Sequence, residues 1–236
     1  MNSIIILLTA LLPIAILVFY ICHKDKNNPE PTKIIVKTFF MGVASVFVSI
    51  LISTPLGLAG AYPDEVANIW DGIRTSFFGA AIPEEIAKFL MLWLVLRKNN
   101  YFDEKMDGIV YAVVISLGFA AFENILYLFS NVDSFLSVAI MRALFAVPGH
   151  FCFGILMGYY YSLAVFYPKA TSRNKVLVLI APIIAHGVYD SLIFTMNVAP
   201  SLAFILLITF LVFCHKLWKL GCRHIKEHLQ RDNITD

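Results

Sequence analysis

The sequence predicts an all-α polytopic membrane bundle of about seven transmembrane helices, with the N-terminus outside and the C-terminus cytoplasmic. Three observations predict it. Of 236 residues, 59% are hydrophobic and only 14% charged, against roughly 25% charged in an ordinary soluble domain; mean hydropathy is +0.78. Apolar windows of about 20 residues, enough to cross roughly 30 Å of hydrocarbon, recur along the whole chain. Lys and Arg gather in every second connection between them, as they do in cytoplasmic loops. The formal charge of +2 is too small to argue for nucleic acid. No polar stretch is long enough for an appended soluble domain, so residues 1–236 read as a single integral membrane domain in the cell membrane.

The first window, 3–22, has no Lys or Arg before Lys24 and an apolar run too long for a secretory signal, so it reads as a span that stays. Lys24, Lys26 and Lys33 then mark a cytoplasmic connection to the second window, 34–60, with Lys37 close enough to its end to snorkel. Segment 61–74 holds only Arg74 and reads as a short outer loop or interfacial helix. The third window, 75–96, leads back to Arg97, Lys98 and Lys105. Windows 108–130 and 135–166 follow, joined by 131–134 without a basic residue; Lys169, Arg173 and Lys175 precede 176–196. The last window, 199–220, ends in a cytoplasmic tail, 221–236; Lys216, Lys219, Arg223, Lys226 and Arg231 lie in and just before it. Cys22 and Cys222 sit at cytoplasmic ends and Cys152 and Cys214 within spans, so no disulfide is expected.

The remaining charges lie within the spans: Glu84, Glu85, Lys88, Glu123, Arg142 and Asp190, with His150 and His186. At roughly 2.5–3.5 kcal/mol for each such group near a helix centre, six left to themselves cost on the order of 15–20 kcal/mol. They must pair, bind an ion or line water, which makes them a functional site by default. Their positions along the spans allow one site at mid-to-outer depth. The i+4 spacing stacks Glu84 with Lys88 and His186 with Asp190. Gly108, Ala112, Ser116 and Ala120 form a small-residue stripe leading to Glu123, and His150, Gly154 and Gly158 form another.

Each motif has a plain reading beside the functional one. In Pro83-Glu84-Glu85, proline and two acids suit an ordinary helix start, yet apolar sequence continues on both sides, which fits a helix broken at Pro83 with a carboxylate that takes a proton from water. Glu123-Asn124 can be an interhelical hydrogen-bonding pair with Arg142. Pro148-Gly149 ahead of His150 predicts a kink that re-aims an imidazole. Together the residues supply what a hydrolytic metal site needs: His150, His186 and Glu123 as ligands, and Glu84 or Glu85 as base. Asp190 is a fourth ligand or, with Asn124, Lys88 and Arg142, one of the groups that orient the ligands. The expected cofactor is a divalent metal, zinc by this ligand chemistry. His224-x-x-Glu227-His228 matches a zinc-peptidase pattern, but it lies on a short basic tail and reads as a solvated juxtamembrane helix attracted to anionic lipid.

The ordered set Glu84-Glu85-x-x-Lys88, Phe119-x-x-x-Glu123-Asn124, Pro148-Gly149-His150 and His186-x-x-x-Asp190 resembles the PrsW family of intramembrane proteases and, more distantly, the CAAX prenyl endopeptidase superfamily. The likeness covers about residues 75–196. It implies a multi-pass peptidase of regulated proteolysis that cuts a membrane-anchored substrate, an anti-sigma factor in a bacterial stress response. It also implies catalytic roles for Glu84 and Glu85, with Glu123, His150 and His186 completing the site and Asp190 beside it. One departure stands out: CAAX-type enzymes show Phe-x-x-x-His where this chain has Phe119-x-x-x-Glu123. Two other classes compete with the peptidase. An ion- or proton-coupled transporter would use His186 and Asp190 as a relay, though no inverted repeat is visible. A non-catalytic scaffold would leave the acidic pair without a purpose.

Overall fold

The structure, a computed structural model, describes residues 3–167 and 171–233; Lys169 lies outside the described residues. Helices are the only regular elements among them. Six are long and apolar enough to cross a membrane: Ser3–Lys24, Thr32–Leu58, Lys105–Ser130, Val132–Phe166, Ser172–Val198 and Pro200–Asp232. The window at 75–96 does not reach that standard, because Glu84, Glu85 and Lys88 interrupt its apolar run. It is nevertheless helical throughout, and three segments run on without a break: α3 (Ile69–Arg74), a π-helical turn (Thr75–Ala81) and α4 (Ile82–Leu96). The protein is a multi-pass membrane protein.

α1 (Ser3–Lys24) and α2 (Thr32–Leu58) flank α5 (Lys105–Ser130), whose residues from Lys105 to Ala121 are all buried. α5 is therefore the central post, wrapped by protein rather than lipid. Large apolar side chains such as Phe19, Phe40, Leu51, Phe204 and Ile205 face outward instead, on the helices that the bilayer must solvate. The small-residue stripe of α5 meets that of α7 (Val147–Phe166): Gly158 lies so close to Gly108 that a Cβ would run into the facing backbone, and Gly118 meets α2 at Phe39 in the same way. Close approach of backbones is how membrane helices gain packing where water provides no driving force. α2 ends with Gly60 at positive φ, the Gly60 N–H reaching Gly57 O and the Ala61 N–H reaching Leu56 O, a Schellman cap. The Arg74 guanidinium donates to the Gly60 and Ala61 carbonyls and closes the segment 61–74.

Two expectations are corrected. The helix is not broken at Pro83: the Ile82 N–H reaches back five residues to Phe77 O, and this wider turn carries the helix past a proline that has no N–H to give. The same device recurs before Pro148, where the Val147 N–H reaches Arg142 O between α6 (Phe135–Met141) and α7. The tail is not a solvated helix either. α9 (Ala203–Asp232) continues through it and docks back: the Tyr159 ring stacks on His224 at 3.7 Å and on His228 at 4.5 Å, and the Tyr159 hydroxyl donates to Glu227 at 2.6 Å. At its end, Asp232 accepts from the backbone N–H groups of Lys105 and Met106 at 3.0 and 2.9 Å, closing the first turn of α5.

Candidate active site

Two widened turns aim the site. Each precedes a proline at the start of a helix, and the residues just beyond, Glu84 and Glu85 on α4 and His150 on α7, turn toward each other across α5. α8 (Thr171–Val198) supplies His186 and Asp190.

The nine residues singled out by the sequence form one connected network. Lys88 Nζ donates to Glu85 Oε1 at 2.8 Å and Glu84 Oε2 at 3.2 Å, and lies 3.2 Å from His150 Nδ1. On its other side the ammonium sits 4.2 Å from the centre of the Phe119 ring. His186 Nδ1 is 2.9 Å from Glu85 Oε1, and its Nε2 is 3.3 Å from Asp190 Oδ2 and 4.0 Å from Glu84 Oε2. His150 Nε2 is 3.0 Å from Glu123 Oε2, which also accepts from Arg142 Nη2 at 2.7 Å. Arg142 Nε donates to Asn124 Oδ1 at 2.6 Å, and Asn124 Nδ2 donates in turn to the Ala10 carbonyl of α1 at 3.1 Å. The two imidazoles stand 5.6 Å apart, centre to centre.

Residues outside the polar motifs position this network. Phe153 stacks on His186 at 4.7 Å, Ser116 donates to the His150 carbonyl at 2.7 Å, and Tyr127 lies under the Arg142 guanidinium at 4.1 Å. Ser116 belongs to the small-residue stripe and was legible as such. Phe153 and Tyr127 carry no signal that separates them from other aromatics of an apolar span.

A cavity of about 650 Å³ opens onto the network, lined by Glu84, Glu123, Arg142, His150, His186 and Asp190 and floored by apolar side chains including Phe210. Glu85 and Lys88 do not line it, and both are fully enclosed. The two adjacent glutamates therefore differ: Glu84 faces the cavity, and Glu85 sits behind it.

The model of the PrsW family intramembrane metalloproteases matches residues 30–215. The chain belongs to the PrsW family. It is 35% identical over 229 residues to the protein named Protease PrsW of Clostridioides difficile, covering 94% of this chain and 90% of that one. The Protease PrsW of Geobacillus kaustophilus is 35% identical over 177 residues, 75% and 74% of the two chains. That of Bacillus subtilis is 34% identical over 213 residues, 89% of each. No solved structure matches. Membership of the PrsW family makes the protein a membrane peptidase, and the transporter and scaffold readings lapse. It also implies a divalent metal. The residues fit one: Glu84, Glu85 and His186 each offer a donor atom within 4.8 Å of the others, and Glu85 Oε2 is buried without a hydrogen-bond partner. Nitrogen and carboxylate oxygen donors of this kind suit a divalent metal.

Proposed function

We propose that the protein cleaves a membrane-anchored protein within or beside the bilayer, with Glu84 accepting a proton from the attacking water. The observation that carries this reading is the asymmetry of the acidic pair. Glu84 reaches the cavity, with Oε2 turned to Lys88 and His186 and its second oxygen left for water. Glu85 is held from two sides by Lys88 and His186. We assign Glu85 and His186 to the group that would hold the metal, with Glu84 beside them as the base; the metal would supply Lewis acidity, polarising a carbonyl and acidifying water. Lys88, enclosed behind the cavity, keeps two adjacent carboxylates compatible. His150, reaching the cavity between Lys88 and Glu123, is placed to return a proton to the departing amine, and the Arg142–Glu123 pair fixes its ring. Asp190 orients His186 through Nε2.

The cavity wall also includes Met141 and Leu207, both turned to the lipid side of the bundle. That opening suits a substrate helix arriving laterally, and an anti-sigma factor with one membrane span has this form. The basic connections favour an N-terminus outside and a C-terminus in the cytoplasm, which puts the cavity nearer the outer face. Purified protein and a single-span anti-sigma-type substrate in one proteoliposome test the reading. Wild type cleaves, while Glu84→Gln and His186→Ala keep their helical content and do not. Cleavage by folded Glu84→Gln at the wild-type rate removes Glu84 as the base.

A further inference from the structure

At the opposite end of α5 a second group of acids gathers, which the peptidase chemistry does not use. Asp25 and Glu30 lie in the connection between α1 and α2, and Asp107 lies in the first turn of α5. A carboxylate oxygen from each lies within 4.8 Å of the other two. Glu123 is 16 residues farther along the same helix, roughly 24 Å at 1.5 Å per residue, so this is not an extension of the active site.

Asp25 and Asp107 are buried, Glu30 is half-buried, and the group is incompletely satisfied. Asp25 is 3% exposed and Asp107 fully enclosed, yet Asp25 Oδ2 has no hydrogen-bond partner and Asp107 Oδ1 has no donor but, at most, the Glu30 carboxyl. Asp107 Oδ2 is already used, accepting from the N–H groups of Asp103 and Glu104 at 3.0 and 2.7 Å in a capping box. Glu30 is held in place by the Tyr111 hydroxyl, which donates to it. The charged groups that act most strongly on Asp25 are acids: Glu30, Glu104, Asp232 and Asp103. The Lys105 ammonium, two residues before Asp107, is engaged with Asp232 at 3.0 Å. Buried carboxylate oxygens without partners are expensive. A cation among them would satisfy the orphaned oxygens and the excess charge together.

We propose that Asp25, Glu30 and Asp107 form a second metal site, for a hard divalent cation of the calcium or magnesium type, which ties the α1–α2 connection to the start of α5. The donor set is all oxygen, as such ions require, and contains no His or Cys that would favour zinc. Oxygens on a common Ca²⁺, each at 2.3–2.6 Å, are at most about 5 Å apart, and the three carboxylates fall within that reach.

Terbium(III), an oxygen-seeking stand-in for calcium that luminesces when a nearby tyrosine absorbs, reports on the site because Tyr111 touches Glu30. Full-length protein in detergent, stripped of divalent ions, is titrated with Tb³⁺ and then with Ca²⁺ or Mg²⁺. The expected result is a saturable tyrosine-sensitised signal displaced by Ca²⁺ or Mg²⁺, the more effective ion naming the source. Affinity falls at least about tenfold in Asp25→Asn/Asp107→Asn, and Glu84→Gln keeps the signal. No saturable signal in wild type, an unchanged one in the double variant, or one lost in Glu84→Gln overturns the proposal. If the double variant does not fold, wild-type thermal stability decides. A Tm raised by the divalent chloride over choline chloride of equal ionic strength supports the site, and an equal Tm refutes it.

Discussion

Near the far end of α5, the Glu123 carboxylate meets Arg142 at 2.7 Å and His150 at 3.0 Å. In the first turn of the same helix, the Asp107 carboxylate meets two backbone N–H groups with one oxygen and no N–H group with the other. The helix is the same, but Glu123 is half-buried at the cavity and Asp107 fully enclosed, and the electrostatic solutions differ. At the active-site end, acids from α4 and α5 are matched by Lys88 and Arg142, and the imidazoles link the pairs. At the other end, acids from a loop and a helix cap converge with too little positive charge. The first arrangement fixes a reactive geometry beside the cavity. The second is a vacancy in charge that protons or a cation must fill.

The largest effect should come from Glu84. Glu84→Gln removes the proton acceptor and should slow single-turnover cleavage by roughly 10²–10⁴-fold, the usual contribution of a positioned base. Glu85→Gln should lower metal affinity, whereas Glu84→Gln should keep the metal and lose only the base; equal loss of metal in both would erase the distinction between the cavity-facing and enclosed glutamates.

Next comes the Arg142–Glu123 pair. Arg142→Met leaves Glu123 buried with one partner fewer and should cost about 3–5 kcal/mol, since breaking such a pair leaves a charge uncompensated. Arg142→Met/Glu123→Leu should recover much of that stability in a denaturation series without recovering cleavage. A third, smaller effect tests the other end: Asp232→Ala removes the group that caps Lys105 and Met106, and should cost about 1–2 kcal/mol in the same measurement.

The two ends also differ in how much the sequence disclosed. Six charges in apolar spans are conspicuous because lipid forbids them, so all nine site residues could be named before their contacts were known, down to the i+4 pairs Glu84–Lys88 and His186–Asp190. What the sequence did not carry was the partition within the set. Adjacent glutamates read alike, and only the packing of α4 against α5 and α8 puts Glu84 on the cavity and Glu85 behind it. Nor did the proline motifs reveal widened turns, because backbone register depends on the neighbours that hold the helix in line. Asp25, Glu30 and Asp107 were illegible for the opposite reason. Acids in connections and helix caps are ordinary in sequence, and their convergence depends on α1 and α2 packing on α5. The docked tail is of the same kind: His224 and His228 read as solvated until Tyr159 and the start of α5 are placed beside them.

The smallest effect concerns pH and has opposite signs at the two ends. Burial, and then the negative charges of Glu30, Glu104, Asp232 and Asp103, push the Asp25 carboxyl up to about 8, and burial raises Glu30 as well. In the unfolded chain an aspartate titrates near 3.9. A carboxyl whose folded pKa lies above its unfolded one favours the native state when protonated, so its contribution is complete below about pH 4 and is lost as pH rises toward 8. In divalent-free buffer the Tm should therefore fall by a few degrees between pH 5 and pH 8. Asp25→Asn, an uncharged near-isostere, should flatten that slope and raise the Tm at pH 8, whereas Glu123→Gln, which strips Arg142 of its counter-charge, should lower it. The same sign for both variants would mean that the two ends of α5 handle buried charge alike.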